Sequence, residues 1–201
     1  ELDEIVMAQL ETRLFLGDAL VRLGSLPADR QPTLLDCFKL DQAPYKPDQR
    51  KLDPDLGQNP AAHLVLDLLP KLCLRRATVQ MKIGTGQSLS RLTSYPFSVR
   101  VAMSGNKGLS TTLVCDEDFG RRLAASVSGL DPERLSSELI YDGIGEFLNV
   151  VCGNAVAILE GDGIIMQLEP PIRDQDLEAG TVFEIVVSEA AASLVLESFS
   201  S

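Results

Sequence analysis

The feature that most constrains the fold is a run from Asp131 to about Leu159 in which apolar residues keep helical spacing without a break. Leu135, Leu139, Ile140, Ile144, Phe147, Leu148, Val151, Ala155 and Ile158 carry it. Asp131-Pro132-Glu133 supplies an N-cap, a proline at the first helical position and an early acid, and Gly161 to Gly163 closes the run. A shorter helix, Asp116 to Ser128, precedes it and stops at Gly129. Strand-like runs flank this block on both sides. Thr78–Lys82, Pro96–Met103 and Leu109–Cys115 come before it, with Gly84, Gly86, Gly105 and Gly108 as turn residues, and Gly163–Leu168, Thr181–Val187 and Ser193–Ser198 come after. Three strands, two helices and three strands argue against an alternating βαβ chain. They predict an α+β domain with a six-stranded antiparallel or mixed sheet packed by helices.

Upstream of this block, Ile5, Leu10, Leu14, Leu16, Leu20, Val21 and Leu23 predict helix up to a stop at Gly24, and a second short helix follows Pro32. Between Asp41 and Pro60, Pro44, Pro47, Pro54 and Pro60 stand among charges and amides, a composition that propagates neither helix nor strand. We therefore divide the chain into a helical extension with a Pro-rich linker, 1–58, and a folded domain, 59–201, opened by a helix from Ala61 to Arg75. The sequence begins at Glu1 without Met, and an upstream segment is expected.

Composition removes several functions. With 18 Lys+Arg against 29 Asp+Glu the net charge is −11, so the electrostatic attraction that drives binding to nucleic acid or an anionic membrane is missing. No uninterrupted apolar run reaches the ~18 residues of a membrane span. Cys37, Cys73, Cys115 and Cys152 form no CxxC pair, and the expectation is buried free thiols in a cytoplasmic protein. His63, the one histidine, leaves no multi-histidine metal site and is expected to be packed or at the surface. Gly84-Thr85-Gly86 lacks the third glycine and the helix start of a nucleotide loop.

On the long helix Asp142, Glu146, Asn149 and Gly153 stand at i, i+4, i+7 and i+11, one polar stripe beside the apolar one. A solvated acidic face explains such a stripe. So does a specific task, because a carboxylate fixes a cationic partner and an amide one turn away orients water with both its donor and its acceptor. Gly145 and Gly153 cost about 1 kcal/mol each within a helix and mark close packing or the approach of a partner. Phe147 and Leu148 are expected to anchor the helix on the sheet, and Asn154 to bond in helix packing.

The string Asp142-Gly143-Ile144-Gly145-Glu146-Phe147-Leu148-Asn149, continued by Val150-Val151-Cys152-Gly153-Asn154-Ala155, is followed later by Pro170-Pro171. It resembles the signature of the CheC/CheX/FliY chemotaxis phosphatases: Asp or Ser, three residues, Glu, two residues, Asn, and a Pro about 22 positions on. The Gly-Asn-Ala after the Asn and the paired prolines are most similar to the CheX branch. One motif is present, where the CheC branch usually carries two. The resemblance, over about residues 60 to 198, implies a CheX-like phosphatase domain acting on the aspartyl phosphate of a response-regulator receiver such as CheY in chemotaxis or another two-component pathway. It implies that Glu146 pairs with a receiver Lys and Asn149 positions the attacking water, with Asp142, Gly153, Pro170 and Pro171 as supporting or partner-binding positions. It also implies no cofactor of the chain's own, Mg²⁺ supplied by the receiver, and a homodimer. A non-catalytic CheX-like module that only binds a receiver or dimerises within a larger signalling protein is the alternative. The first 58 residues fall outside the resemblance; Leu16 to Leu26 faintly resembles the start of a secretion-ATPase N-terminal domain that binds cyclic dinucleotides, but Phe15 stands where that pattern has Arg.

Overall fold

Local caps set most boundaries. In a first unit, residues 1–44, α1 (Leu16–Arg22) stops where Gly24 takes φ +70°, and α2 (Gln31–Gln42) carries Pro32 in its first turn. The computed structural model describes residues 16–43, 52–174 and 176–199; Ile5, Leu10 and Leu14 lie outside them.

The second unit, residues 45–201, starts earlier than the sequence predicts. Pro54 and Pro60 open helices instead of breaking them. Asp53 caps the single turn α3 (Pro54–Gly57), accepting from Leu56 N at 2.9 Å and from Thr181 Oγ1 at 2.5 Å. Asn59 caps α4 (Pro60–Ala77) and donates to Gly108 O at 3.1 Å and Ser198 Oγ at 2.8 Å. Residues 52–58 are thus fastened to the sheet rather than linking to it. His63 on α4 is half-buried, its Nε2 donating to Gly57 O at 3.0 Å.

The strands are β1 (Met81–Ser88), β2 (Phe97–Gly105), β3 (Gly108–Cys115), β4 (Met166–Leu168), β5 (Ile172–Arg173), β6 (Thr181–Val187) and β7 (Ala192–Phe199). All pairings are antiparallel, in the order β1-β6-β7-β3-β2-β4, with β5 also on β2. The sequence anticipates six strands; the additional one is the two-residue β5 after Pro170-Pro171. Thr78 is not strand but the helix cap of α4, at φ 55°, so β1 begins at Met81. Gly84 and Gly86, expected in a turn, lie inside β1 at a bulge, where Ile83 pairs Ile185 and Gly86 pairs Phe183.

Asp116 caps α5 (Glu117–Ser128), and Gly129 ends it at φ +70°. The long helix α6 (Ser137–Gly161) starts later than expected. Asp131-Pro132 opens only a 3-10 turn, Pro132–Arg134, and Ser136 is the cap, its Oγ accepting from Leu139 N. The reason lies on α5: Arg121 Nη1 donates to Pro132 O at 2.6 Å and Leu135 O at 2.9 Å, engaging carbonyls that a continuous helix would use.

Helices α4, α5 and α6 cover one face of the sheet. Phe147 and Leu148 are buried there as expected, among Phe97, Val99, Leu113 and Phe183. Gly143 lets α5 approach: a Cβ on it would stand 2.3 Å from the Ala124 Cα. An 18-residue stretch of α6 reaches a mean hydropathy of 1.3, so by length and composition it could cross a membrane; 56% of it is buried in this core. Cys73, Cys115 and Cys152 are buried too, and burial pushes the thiols of Cys73 and Cys152 up to about 12. Cys37, in the first unit, is exposed, contrary to expectation.

Candidate active site

Three positions four residues apart, Glu138, Asp142 and Glu146, run along the outer side of α6, and all three are exposed. Asn149 stands next on the same stripe, half-buried, and Gly153 lies beyond it. Glu146 forms no ion pair among the described residues, whereas Asp142 bonds Arg173. The Oδ1 of Asn149 is buried with no hydrogen-bond partner. An acceptor in that state costs about 1–3 kcal/mol, and buried polar atoms are otherwise almost always satisfied.

Gly145, beside the stripe, and Gly153, on it, part ways. A Cβ on Gly145 would stand 3.1 Å from Pro171 Cβ and 3.8 Å from Val99, so this glycine exists for close packing. Gly153 has only Leu168 Cδ2 near, at 3.9 Å, leaving the helix surface there open. Asn154 is exposed and its amide donates back to Val150 O at 2.7 Å, so it bonds its own helix rather than a neighbouring one.

The proline pair is brought to the helix by the sheet edge. Leu168 pairs Met103 and Ile172 pairs Arg100, so four residue steps on the edge lie opposite three on β2. The extra residue makes a bulge at Glu169-Pro170-Pro171, where prolines lack the N–H a ladder needs. Glu169 N donates to Ala102 O and the Glu169 carboxylate accepts from Ser104 Oγ on one side of the bulge, while Asp174 N donates to Ser98 O on the other. Pro171 is thereby seated on Gly145, and Pro170 is exposed.

Sequence reasoning missed the segment just beyond the prolines. Arg173 reaches Asp142 with Nη2, stands 4.0 Å from Glu138 with Nη1, and lies 5.2 Å over the ring of Tyr141. Tyr141 packs edge-on to Phe97 at 4.9 Å, and its hydroxyl donates toward Asp174 Oδ1 at 2.6 Å, with Pro96 O at 3.0 Å. No local spacing announces these contacts; the only signal is a single cation two residues past Pro171. Among the described residues no group of three or more His, Cys, Asp or Glu is placed to hold a metal.

Residues 97–181, which contain the whole stripe and the proline bulge, match the family model of the chemotaxis phosphatase CheX. No curated protein matches the chain by sequence. Solved structures share its fold. The chemotaxis protein CheX of Desulfovibrio desulfuricans superposes with a TM-score of 0.56 at 15% identity, over 69% of this chain and 99% of that one. A chain of the CheX-CheY-BeF3-Mg complex of Borrelia burgdorferi gives 0.54 at 16% identity, over 67% and 94%. FliY of Thermotoga maritima gives 0.51 at 15%, over 75% and 92%. The family match over residues 97–181, the shared α+β fold and the motif on the long helix agree: this part of the chain is similar to the CheX-like chemotaxis proteins.

Proposed function

We propose that this chain hydrolyses the aspartyl phosphate of a CheY-like receiver domain. What carries the reading is an unengaged pair on one helix face: Glu146, exposed and without an ion-pair partner among the described residues, and Asn149, whose amide oxygen has no hydrogen bond to give up. Glu146 receives the ammonium of a receiver Lys beside the phosphoryl group. Asn149, one turn on, enters the receiver site. Turned out from the helix surface, its oxygen accepts one proton of the attacking water and its NH₂ group orients the water's oxygen toward phosphorus, in line with the departing aspartyl oxygen. The P–O bond to the receiver carboxylate breaks, that carboxylate leaves as the anion, and the water's protons stay with inorganic phosphate and solvent. Positioning of this kind suits phosphoryl transfer, where the transition state is loose and little covalent chemistry falls to the catalyst. The phosphorylated Asp and Mg²⁺ belong to the receiver.

The experiment is phosphate release from a panel of Mg²⁺-bound receivers charged with acetyl phosphate. Asn149→Ala should lower kcat at least roughly 100-fold, about 2.7 kcal/mol of barrier. Glu146→Ala should raise KM, because it removes the docking charge. Binding to charged receivers without any acceleration by the wild type would overturn the hydrolase reading in favour of a docking module. The reading includes a homodimer, and light scattering that returned only the 21.8 kDa monomer would remove it.

A further inference from the structure

A row of carboxylates four residues apart poses a problem for any partner that docks through a cation. An ammonium on a flexible chain does not distinguish Glu138, Asp142 and Glu146 by chemistry. A four-residue step moves it about 6 Å along the helix axis. Displacement of about 1 Å already costs on the order of 100-fold in a positioned reaction, so a complex seated on Asp142 would hold Asn149 far from the phosphoryl group.

The sheet edge breaks this degeneracy. Arg173 occupies Asp142 directly and stands between it and Glu138, its guanidinium lying over Tyr141 of the same helix turns. Two of the three carboxylates are thereby engaged by a cation that also repels an incoming one. Glu146, a turn further on, is left. We propose that Arg173 is a positioning residue that sets the docking register: its one positive charge pairs Asp142 and, from 4.0 Å, partly offsets Glu138, so that a receiver's cation settles on Glu146. The inference rests on the phosphatase reading and adds to it the reason the partner docks at one helical turn and not at its neighbour. Because the Arg173 pairs are partly solvated, their effect is a bias in register and not a large stabilisation of the fold.

The signature is kinetic. Arg173→Gln frees two decoy carboxylates, and binding to them is non-productive, which lowers kcat and KM together and leaves kcat/KM unchanged. The common factor should be about twofold to fivefold, the scale of an exposed ion pair. In Glu138→Gln/Asp142→Asn/Arg173→Gln the decoys are gone, and both constants should rise again by that factor relative to Arg173→Gln. A fall in kcat/KM that the triple substitution does not reverse would make Arg173 a structural pin and overturn the inference. So would an active wild type whose kcat and KM are unmoved by Arg173→Gln, with the phosphatase reading still standing. A wild type that releases no phosphate from any receiver overturns both.

Discussion

The two edges of the sheet carry the same backbone irregularity and use it differently. On β1 one residue is inserted between the pairs Ile83–Ile185 and Gly86–Phe183; on the opposite edge one is inserted between Leu168–Met103 and Ile172–Arg100. The first bulge is filled by Gly84 and Thr85. A Cβ on Gly84 would meet Glu184 O at 3.4 Å, ordinary contact on a strand edge. The second is filled by prolines, which cannot rejoin the ladder, so Pro171 is pressed onto Gly145 of α6 and Arg173 is delivered to Asp142. A bulge becomes part of a site where the layer above it supplies a glycine to receive it and charges to meet it.

Substituting the glycine on each edge is the strongest way to break this contrast. Gly145→Val forces a branched side chain into Pro171 and Val99, overpacking that typically costs about 1–3 kcal/mol. Displacing the bulge also moves the flank of Glu146 and Asn149, so phosphate release should fall more than roughly 10-fold. Gly84→Val puts a β-branched residue in an edge strand, where it is favoured, and should change stability by less than about 0.5 kcal/mol and leave turnover alone. Denaturant titration and phosphate-release assays on both variants decide it. Equal losses at the two edges would mean that the proline bulge holds no special relation to the stripe.

A smaller effect is expected from Pro171→Ala. Removing the ring frees the unfolded chain and lightens the contact with Gly145, which should cost about 0.5–1 kcal/mol. Amide exchange locates the change: the Asp174 N–H, bonded to Ser98 O, should exchange faster while β1 amides keep their protection. Unchanged protection at Asp174 would show that the backbone pairs of β5 hold the segment without the prolines.

The same contrast explains what could be read from the sequence. The polar stripe was legible because Asp142, Glu146, Asn149 and Gly153 lie on one helix, where spacing alone fixes a shared face. Strands rich in β-branched residues, such as Thr181–Val187, were legible from their own composition. Where an element's boundary depends on a distant side chain, local patterns mislead. Asp131-Pro132 has the chemistry of a helix start, yet Arg121 of α5 draws off the carbonyls of Pro132 and Leu135, and α6 begins at Ser137. Gly84 and Gly86 read as a turn because a bulge and a turn use the same residues. Arg173 was invisible as a site residue because Asp142 lies 31 positions away, and nothing between them records the contact.

The smallest effect concerns Tyr141, the residue that ties the end of the proline-edge segment to α6. Its hydroxyl gives its proton toward Asp174, with Pro96 O also within reach. Desolvation first, and then the bond to Asp174, push its ionisation up from the ordinary 10 to about 12. The folded state therefore favours the neutral phenol, so this contribution to stability is fully present below pH 10 and is lost as pH rises through about 12. Tyr141→Phe should lower stability at pH 8 by at most about 1 kcal/mol, because water replaces the donor at an exposed carboxylate. The gap between the two proteins should then narrow as pH rises above 10, since the wild type is losing what the variant never had. Thermal melts at pH 8 and pH 11 measure the gap, and absorbance titration should show that one tyrosine ionisation, displaced upward, vanishes in the variant. A gap that stays constant with pH would mean that the hydroxyl contributes nothing to fastening the proline edge, leaving Pro171 and Arg173 to hold it against the helix.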